Sequence, residues 1–203
     1  HDPRRRLDEE AVRDAVLESP AWRRVDVVSE TGSTNADLIA RAAAGEDIEG
    51  VVLIAEHQTA GRGRQGRRWS DVAGAQITLS VGVDASAVPT DAWGWLPLVT
   101  GIAIVDAVRE ATGIEAGLKW PNDVLIDDRK VAGILLESET DGSGGLEWLV
   151  LGIGINVQHY PTDAEFPATS LCNEGGRLDQ PGPVLVRFVQ AFSTWYDVWL
   201  NEG

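Results

Sequence analysis

The stretch LKWPNDVLIDDRKVAGILLE, residues 118–137, sets two apolar runs around the polar group Asp127-Asp128-Arg129. Apolar runs parted by a short turn-forming group predict a β-hairpin, and a two-residue hairpin can join only antiparallel strands. Downstream, DGSGG (141–145) reads as a turn into the strand LEWLVLGIGINV (146–157). Upstream, strands are expected at 22–29, with Val25, Val27 and Val28, at VVLIA (51–55) and at AQITLSVGV (75–83). Strands joined partly by hairpins exclude a regular parallel α/β sheet.

Four helices complete the pattern. Residues 7–18 are amphipathic and stop before Pro20. A second helix is capped by Thr34 or Asn35 and runs to about Ala44, with Gly45 as its stop. A third runs from about Asp91 to Thr112 and ends at Gly113, and a fourth from about Pro183 to Leu200. Residues 161–182 are loop-rich, and neither a repeat nor a linker divides the chain. The expected fold is α+β: one domain with a mixed, largely antiparallel sheet flanked by helices.

Composition narrows the function. With 203 residues and 43% hydrophobic content, the chain can bury a sizeable core. Its 32 acidic against 17 basic residues give a net charge of -15, which repels polyanions and anionic membranes over most of the surface. No apolar run approaches the roughly 18 residues of a spanning helix. One cysteine, Cys172, forms no internal disulfide and reads as an inert thiol; three histidines form no metal cluster, so a reducing cytoplasm is the simplest setting. Only two residues are lysines, Lys119 and Lys130, eleven apart in a chain that otherwise uses arginine.

Against that acidic background, GRGRQGRRW (61–69) concentrates Arg62, Arg64, Arg67 and Arg68. It matches G-x-G-x-x-G, and Asp84 lies where a ribose-binding acid would sit. Yet Glu56 to Ala60 separate the loop from its strand, and about nine residues reach the next one, too few for a βαβ crossover with its helix. A P-loop fails because no Gly-Lys-Ser/Thr follows. A single-strand nucleic-acid grip would need more stacking aromatics than Trp69 alone. A glycine loop offering guanidinium forks to a compact anion remains, beside a solvated loop with surface salt bridges.

Four segments together resemble the catalytic domain of the biotin protein ligases: GSTN (32–35), AEHQTAGRGRQGRRW (55–69), KWPNDVLIDDRKVAGILLE (119–137) and GIGINV (152–157). Both lysines fall inside one motif. The resemblance implies the class II aminoacyl-tRNA synthetase-like fold and a two-step reaction. Biotin and ATP with Mg²⁺ would give biotinoyl-5′-adenylate, which would then acylate a lysine of the biotin carboxyl carrier protein of an acyl-CoA carboxylase. Joining two anions needs fixed cations at the developing charge, and the mixed anhydride needs shelter from water.

By motif, the resemblance sets Ser33, Thr34, Asn35 and Gln58 at biotin. Arg62, Gly63 and Arg64 would line the biotin and adenylate site, and Arg67 would lie nearer the phosphates. Trp69 would pack against the closed loop, against the adenine or in the core. Lys130 would contact the carboxylate and the α-phosphate and is, with Arg62 and Arg64, a catalytic candidate. Asn122 and Asn156 would serve the nucleotide, Asp123 a metal or the orientation of the site, and Lys119 its electrostatics. Gly133 would let the backbone pass close to the ligand, and Leu135, Ile153 and Ile155 would wall the valeryl chain or pack the core.

Family members often carry an N-terminal winged helix-turn-helix and a small C-terminal β-barrel. The stretch before the first strand is too short for the former, and the latter is absent or truncated, so a catalytic domain over residues 1–203 without operator binding is expected. Two rivals remain. A lipoyl or octanoyl protein ligase shares the fold and differs in its loop, and a non-catalytic biotin sensor differs in lacking turnover. A nucleic-acid module is a third, and its signature would be steeply salt-dependent binding.

Overall fold

Alternation along the central strands builds the molecule. The computed structural model describes residues 7–140, 147–178 and 181–202; the turn expected at 141–145 lies outside them. In chain order come α1 (Glu9–Leu17), β1 (Arg24–Val28), α2 (Thr34–Ala43), β2 (Val51–Ala55), β3 (Gln76–Asp84), α3 (Trp95–Thr112), β4 (Gly117–Lys119), β5 (Asp123–Ile126), β6 (Arg129–Thr140), β7 (Glu147–Asn156) and α4 (Gly182–Glu202). The strands form one sheet in the order β1-β2-β3-β7-β6-β5-β4. Only β1 and β2 pair in parallel, so the sheet is mixed and largely antiparallel, as the sequence implied.

Successive side chains leave a strand on opposite faces. On one face, Val52, Ile54, Ile77, Leu79, Val81, Leu149, Leu151, Ile153 and Ile155 join the main core with residues of α1, α3 and α4. On the other, Val51, Leu53, Trp148 and Val150 pack under Leu38 and Ala42 of α2. Farther along that second face the alternates turn small or polar: Gly152 and Gly154 of β7, Gln76, Thr78 and Ser80 of β3, Gly133 of β6. The helical cover stops where the apolar side chains stop, and a cleft opens there.

The hairpin predicted at 118–137 is present, with a tighter turn than expected. Asp127 and Asp128 have φ of 47° and 62°, the left-handed pair that a two-residue turn between twisted strands requires, while Arg129 already belongs to β6. The structure adds β4, which the sequence reading merged with its neighbour. α2 is capped by Ser33, whose side chain accepts from Ala36 N at 3.3 Å, rather than by Thr34 or Asn35. The side chains of those two residues are engaged inside the cleft instead.

The third helix also starts later than expected. Thr90–Ala92 form a separate 3₁₀ turn and α3 begins at Trp95. A helix begun at Asp91 would have put Pro97 in its interior, where the ring clashes with the preceding turn. Begun at Trp95, it holds Pro97 in its first turn, and Gly113 ends it at φ 73° as predicted. By length and composition alone, Thr90–Thr112 is apolar enough to cross a membrane, contrary to the sequence expectation. Burial accounts for that composition: Ala103, Ile104, Ala107 and Val108 are sealed in the core, between α4 and the strands β4, β5 and β6.

Candidate functional site

A cleft holding about 470 Å³ of empty space, including the part open to solvent, lies over the small and polar half of the sheet. Its floor is a continuous hydrogen-bonded array. Gln58 Oε1 accepts from Thr34 N at 2.9 Å and from Thr34 Oγ1 at 3.3 Å. Ser80 Oγ lies 2.7 Å from Thr34 Oγ1 and 2.5 Å from Asn35 Oδ1. Asn35 Nδ2 donates to Leu135 O at 3.2 Å and to Glu137 Oε1 at 3.0 Å, and Arg62 reaches the same oxygen at 3.4 Å. Thr34, Asn35 and Ser80 are nearly inaccessible, so their amide and hydroxyl groups are aligned in advance for a neutral polar head.

Cationic groups share the lining with this array. Lys130 Nζ, from the second residue of β6, sits 3.0 Å from Asp123 Oδ1 and 5.7 Å from the centre of the Trp69 ring. Arg62 and Arg64 line the cleft with Gly63. The arginine loop folds back on itself, with Trp69 N donating to Gly61 O at 2.9 Å and Gly63 N to Arg67 O at 2.8 Å. Trp69 therefore lies across the glycines of the floor. A Cβ on Gly154 would meet its ring at 2.5 Å and one on Gly133 at 3.2 Å, so only glycine admits the indole there. The Trp69 Nε1 is buried without a hydrogen-bond partner.

Of the residues expected from the sequence, Ser33, Thr34, Asn35, Gln58, Arg62, Gly63, Arg64, Trp69, Asn122, Lys130, Gly133, Leu135 and Ile153 line the cleft. Asn122 is tied to β6, its Nδ2 donating to Ile134 O at 2.8 Å. Five others stand apart from the lining, Asp123 beside Lys130 among them. Asn156 is buried, accepts from Gln76 Nε2 at 2.8 Å and donates to Thr169 O at 3.2 Å. Ile155 is core. Arg67 and Lys119 flank the exposed Phe166 ring at 4.8 and 5.6 Å, beside the cleft. Cys172 is half-buried, its Sγ 3.5 Å from Leu178 O.

The sequence reading missed Thr78, Ser80, Gly152, Gly154 and Glu137. A signal existed for the first two. In AQITLSVGV the apolar alternates are interrupted on one side only by Gln76, Thr78 and Ser80, and a fully buried strand gains nothing from hydroxyls unless they meet partners or a ligand. For a metal, no group of three or more His, Cys, Asp or Glu side chains is assembled among the described residues. Asp123 is a lone carboxylate beside Lys130. That fits a magnesium ion carried mainly on substrate phosphates, which is its usual mode, and not a protein cage.

A cleft whose lining combines an array of amide and hydroxyl groups with two arginines and a lysine suits a ligand with an amide-like head and an acidic tail. Fold and cleft together define a carboxylate-activating ligase of the biotin and lipoate type. The chain belongs to the biotin/lipoate A/B protein ligase family, whose model matches residues 33–156. It is 48% identical over 201 residues to the biotin–[acetyl-CoA-carboxylase] ligase of Mycobacterium tuberculosis, covering 97% of this chain and 73% of that protein. It is 34% identical to the bifunctional ligase/repressor BirA of Bacillus subtilis, over 88% of this chain, and spans 54% of that relative's length.

Among solved structures, the Aquifex aeolicus biotin protein ligase in complex with biotin and ATP superposes with a TM-score of 0.71 at 30% identity, over 87% of this chain and 72% of that one. The Leishmania major biotin protein ligase in complex with biotinyl-5-AMP gives 0.73 at 26% identity, over 88% and 77%. The fold is the class II aminoacyl-tRNA synthetase-like one that the resemblance implied.

Proposed function

We propose that the chain is a biotin protein ligase that forms biotinoyl-5′-AMP from biotin and ATP and then transfers biotin to a lysine of a biotin carboxyl carrier protein. The observation that carries this reading is the pairing, in one cleft lining, of an amide and hydroxyl array with Arg62, Arg64 and Lys130. The ureido head of biotin both donates and accepts, and the array of Thr34, Asn35, Gln58 and Ser80 offers both functions. The valeryl carboxylate would then point towards Lys130, Arg62 and Arg64.

In the first step a carboxylate oxygen attacks the α-phosphorus, the bond to the β-phosphate oxygen breaks, and pyrophosphate leaves. Lys130 is suited to hold the carboxylate against the α-phosphate oxygen, where negative charge accumulates. Arg62 and Arg64 supply forked donors to the same groups. In the second step the acceptor amine attacks the acyl carbon, AMP departs and the amine loses its proton. Trp69 and the arginine loop exclude water from the anhydride between the two steps. Magnesium, when bound on the phosphates, would neutralise their charge, with Asp123 the nearby carboxylate. Arg67 and Lys119, outside the lining, would act on the nucleotide through longer-range attraction, and Asn156 would support the site from within the fold. A cytoplasmic setting follows from the substrates, where ATP and carboxylases meet.

ATP–pyrophosphate exchange tests the reading, with lipoate and octanoate in parallel. Exchange that requires biotin supports it. Exchange with lipoate instead would move the chain to the lipoyl or octanoyl branch of the family. Tight biotin binding without exchange would make it a sensor.

A further inference from the structure

Asp71 has no part in the reaction as described, yet its side chain is 1% exposed and fully engaged beside the cleft. Its Oδ2 accepts from Gln58 N at 3.1 Å and from Thr78 Oγ1 at 3.4 Å, while Oδ1 lies 3.3 Å from Gln58 N and 2.7 Å from His57 Nδ1. Gln58 and Thr78 both line the cleft. A carboxylate can accept about four hydrogen bonds, and those it accepts are stronger than neutral ones. Here most of that capacity is spent on Gln58 and Thr78, which line the cleft.

Position in the chain gives the arrangement a direction. Gln58 lies three residues before Gly61, where the arginine loop starts, and Asp71 two residues after Trp69, where it ends. Asp71 thus joins the two feet of the loop, in line with the backbone bonds from Trp69 N to Gly61 O at 2.9 Å and from Gly74 N to Glu56 O at 3.2 Å. His57, half-buried beside it, presents its Nδ1 to the carboxylate from the same foot as Gln58.

We propose that Asp71 is a positioning residue that clamps the feet of the arginine loop and sets Gln58 and Thr78 for the ligand head. The inference rests on the biotin ligase reading for its substrate, and on geometry alone for the clamp. A residue that merely stabilised the fold would affect both substrates alike. A clamp beside Gln58 and Thr78 acts on biotin and on the loop.

The test uses the 203-residue chain as wild type, Asp71→Ala and Asp71→Asn. Asparagine keeps one acceptor for Gln58 N, so it is the conservative rescue and the variant more certain to fold. In ATP–pyrophosphate exchange, Asp71→Ala should raise the biotin KM about tenfold or more. The ATP KM should stay within about threefold, while kcat at saturating biotin falls because the loop carries Arg62 and Arg64. Asp71→Asn should recover most of the loss. Independently of activity, trypsin should cut Asp71→Ala after Arg62, Arg64, Arg67 or Arg68 about fivefold faster than wild type. Equal rises in both KM values, or unchanged cleavage in the loop, would overturn the proposal. Wild type without biotin-dependent exchange would instead sink the ligase reading and leave cleavage to decide the clamp.

Discussion

Lys130 Nζ lies 3.0 Å from Asp123 Oδ1, a contact between two strands of one hairpin. The bridge keeps the lysine extended towards the cleft before any ligand arrives, so little reorganisation accompanies reaction. Such preorganised charge is where an enzyme gains most over water. Lys130→Ala should therefore lower biotin-dependent exchange by about 10² to 10³ with the melting temperature little changed. Wild-type exchange in that variant would remove Lys130 from the chemistry.

The glycine floor gives a purely steric prediction. Gly154 has no left-handed φ, so alanine fits its backbone, and a strand alanine is favoured over glycine by about 0.5–1 kcal/mol. The added Cβ would nonetheless meet Trp69 Cε2 and Cζ2 at 2.5 Å. Gly154→Ala should thus displace the Trp69 ring, bind biotin about tenfold more weakly and melt a few degrees lower, since overpacking costs about 1–3 kcal/mol. Calorimetric titration with biotin decides it, and unchanged affinity would mean that neither Trp69 nor the floor shapes the ligand site.

How far this site was legible depends on how local its signals are. The hairpin at 118–137 and the strand at 51–55 are local patterns, and both were readable. The lysines stood out because the chain has only two, and the arginines because four fall within nine residues of an acidic chain. Ser80 and Asp71 could not be found that way. Each matters through partners distant in sequence, Ser80 through Asn35 and Asp71 through Gln58 and Thr78. Gly152 and Gly154 were visible as a motif, but their use depends on which face of β7 is covered, and that is decided by where α2 ends. The misplaced start of α3 has a different origin: a proline two residues inside a helix looks the same in sequence as one that prevents it.

Glu49 links titration to stability. Burial holds its carboxyl above the ordinary range, offset in part by the hydrogen bond from Asp84 N, with Asp84 and Asp47 adding repulsion. A raised folded value means that the ionised form is penalised in the folded state. The penalty is complete at pH above that value and is relieved as pH falls through it towards the unfolded value of about 4.3. Glu49→Gln keeps an acceptor for Asp84 N and removes the charge. It should melt a few degrees higher than wild type at pH 8, with the gap closing by about pH 4. A gap independent of pH would show that charge is not the cause.

Asn156 separates a structural from a binding role. It stands on the same face of β7 as Gly152 and Gly154, where the sequence resemblance set a nucleotide contact, but its amide is already used. It holds Gln76 on β3 and the Thr169 carbonyl of the segment that pairs with Lys130. With Asn156→Ala those buried groups lose a partner, which costs about 1–3 kcal/mol. At this chain length each kcal/mol corresponds to about 2–4 °C of melting temperature. The ATP KM should move by no more than about threefold, since uniform loss of stability is not loss of nucleotide binding. A large rise in ATP KM at unchanged melting temperature would instead require the Asn156 amide to leave Gln76 and turn to the nucleotide when ATP binds.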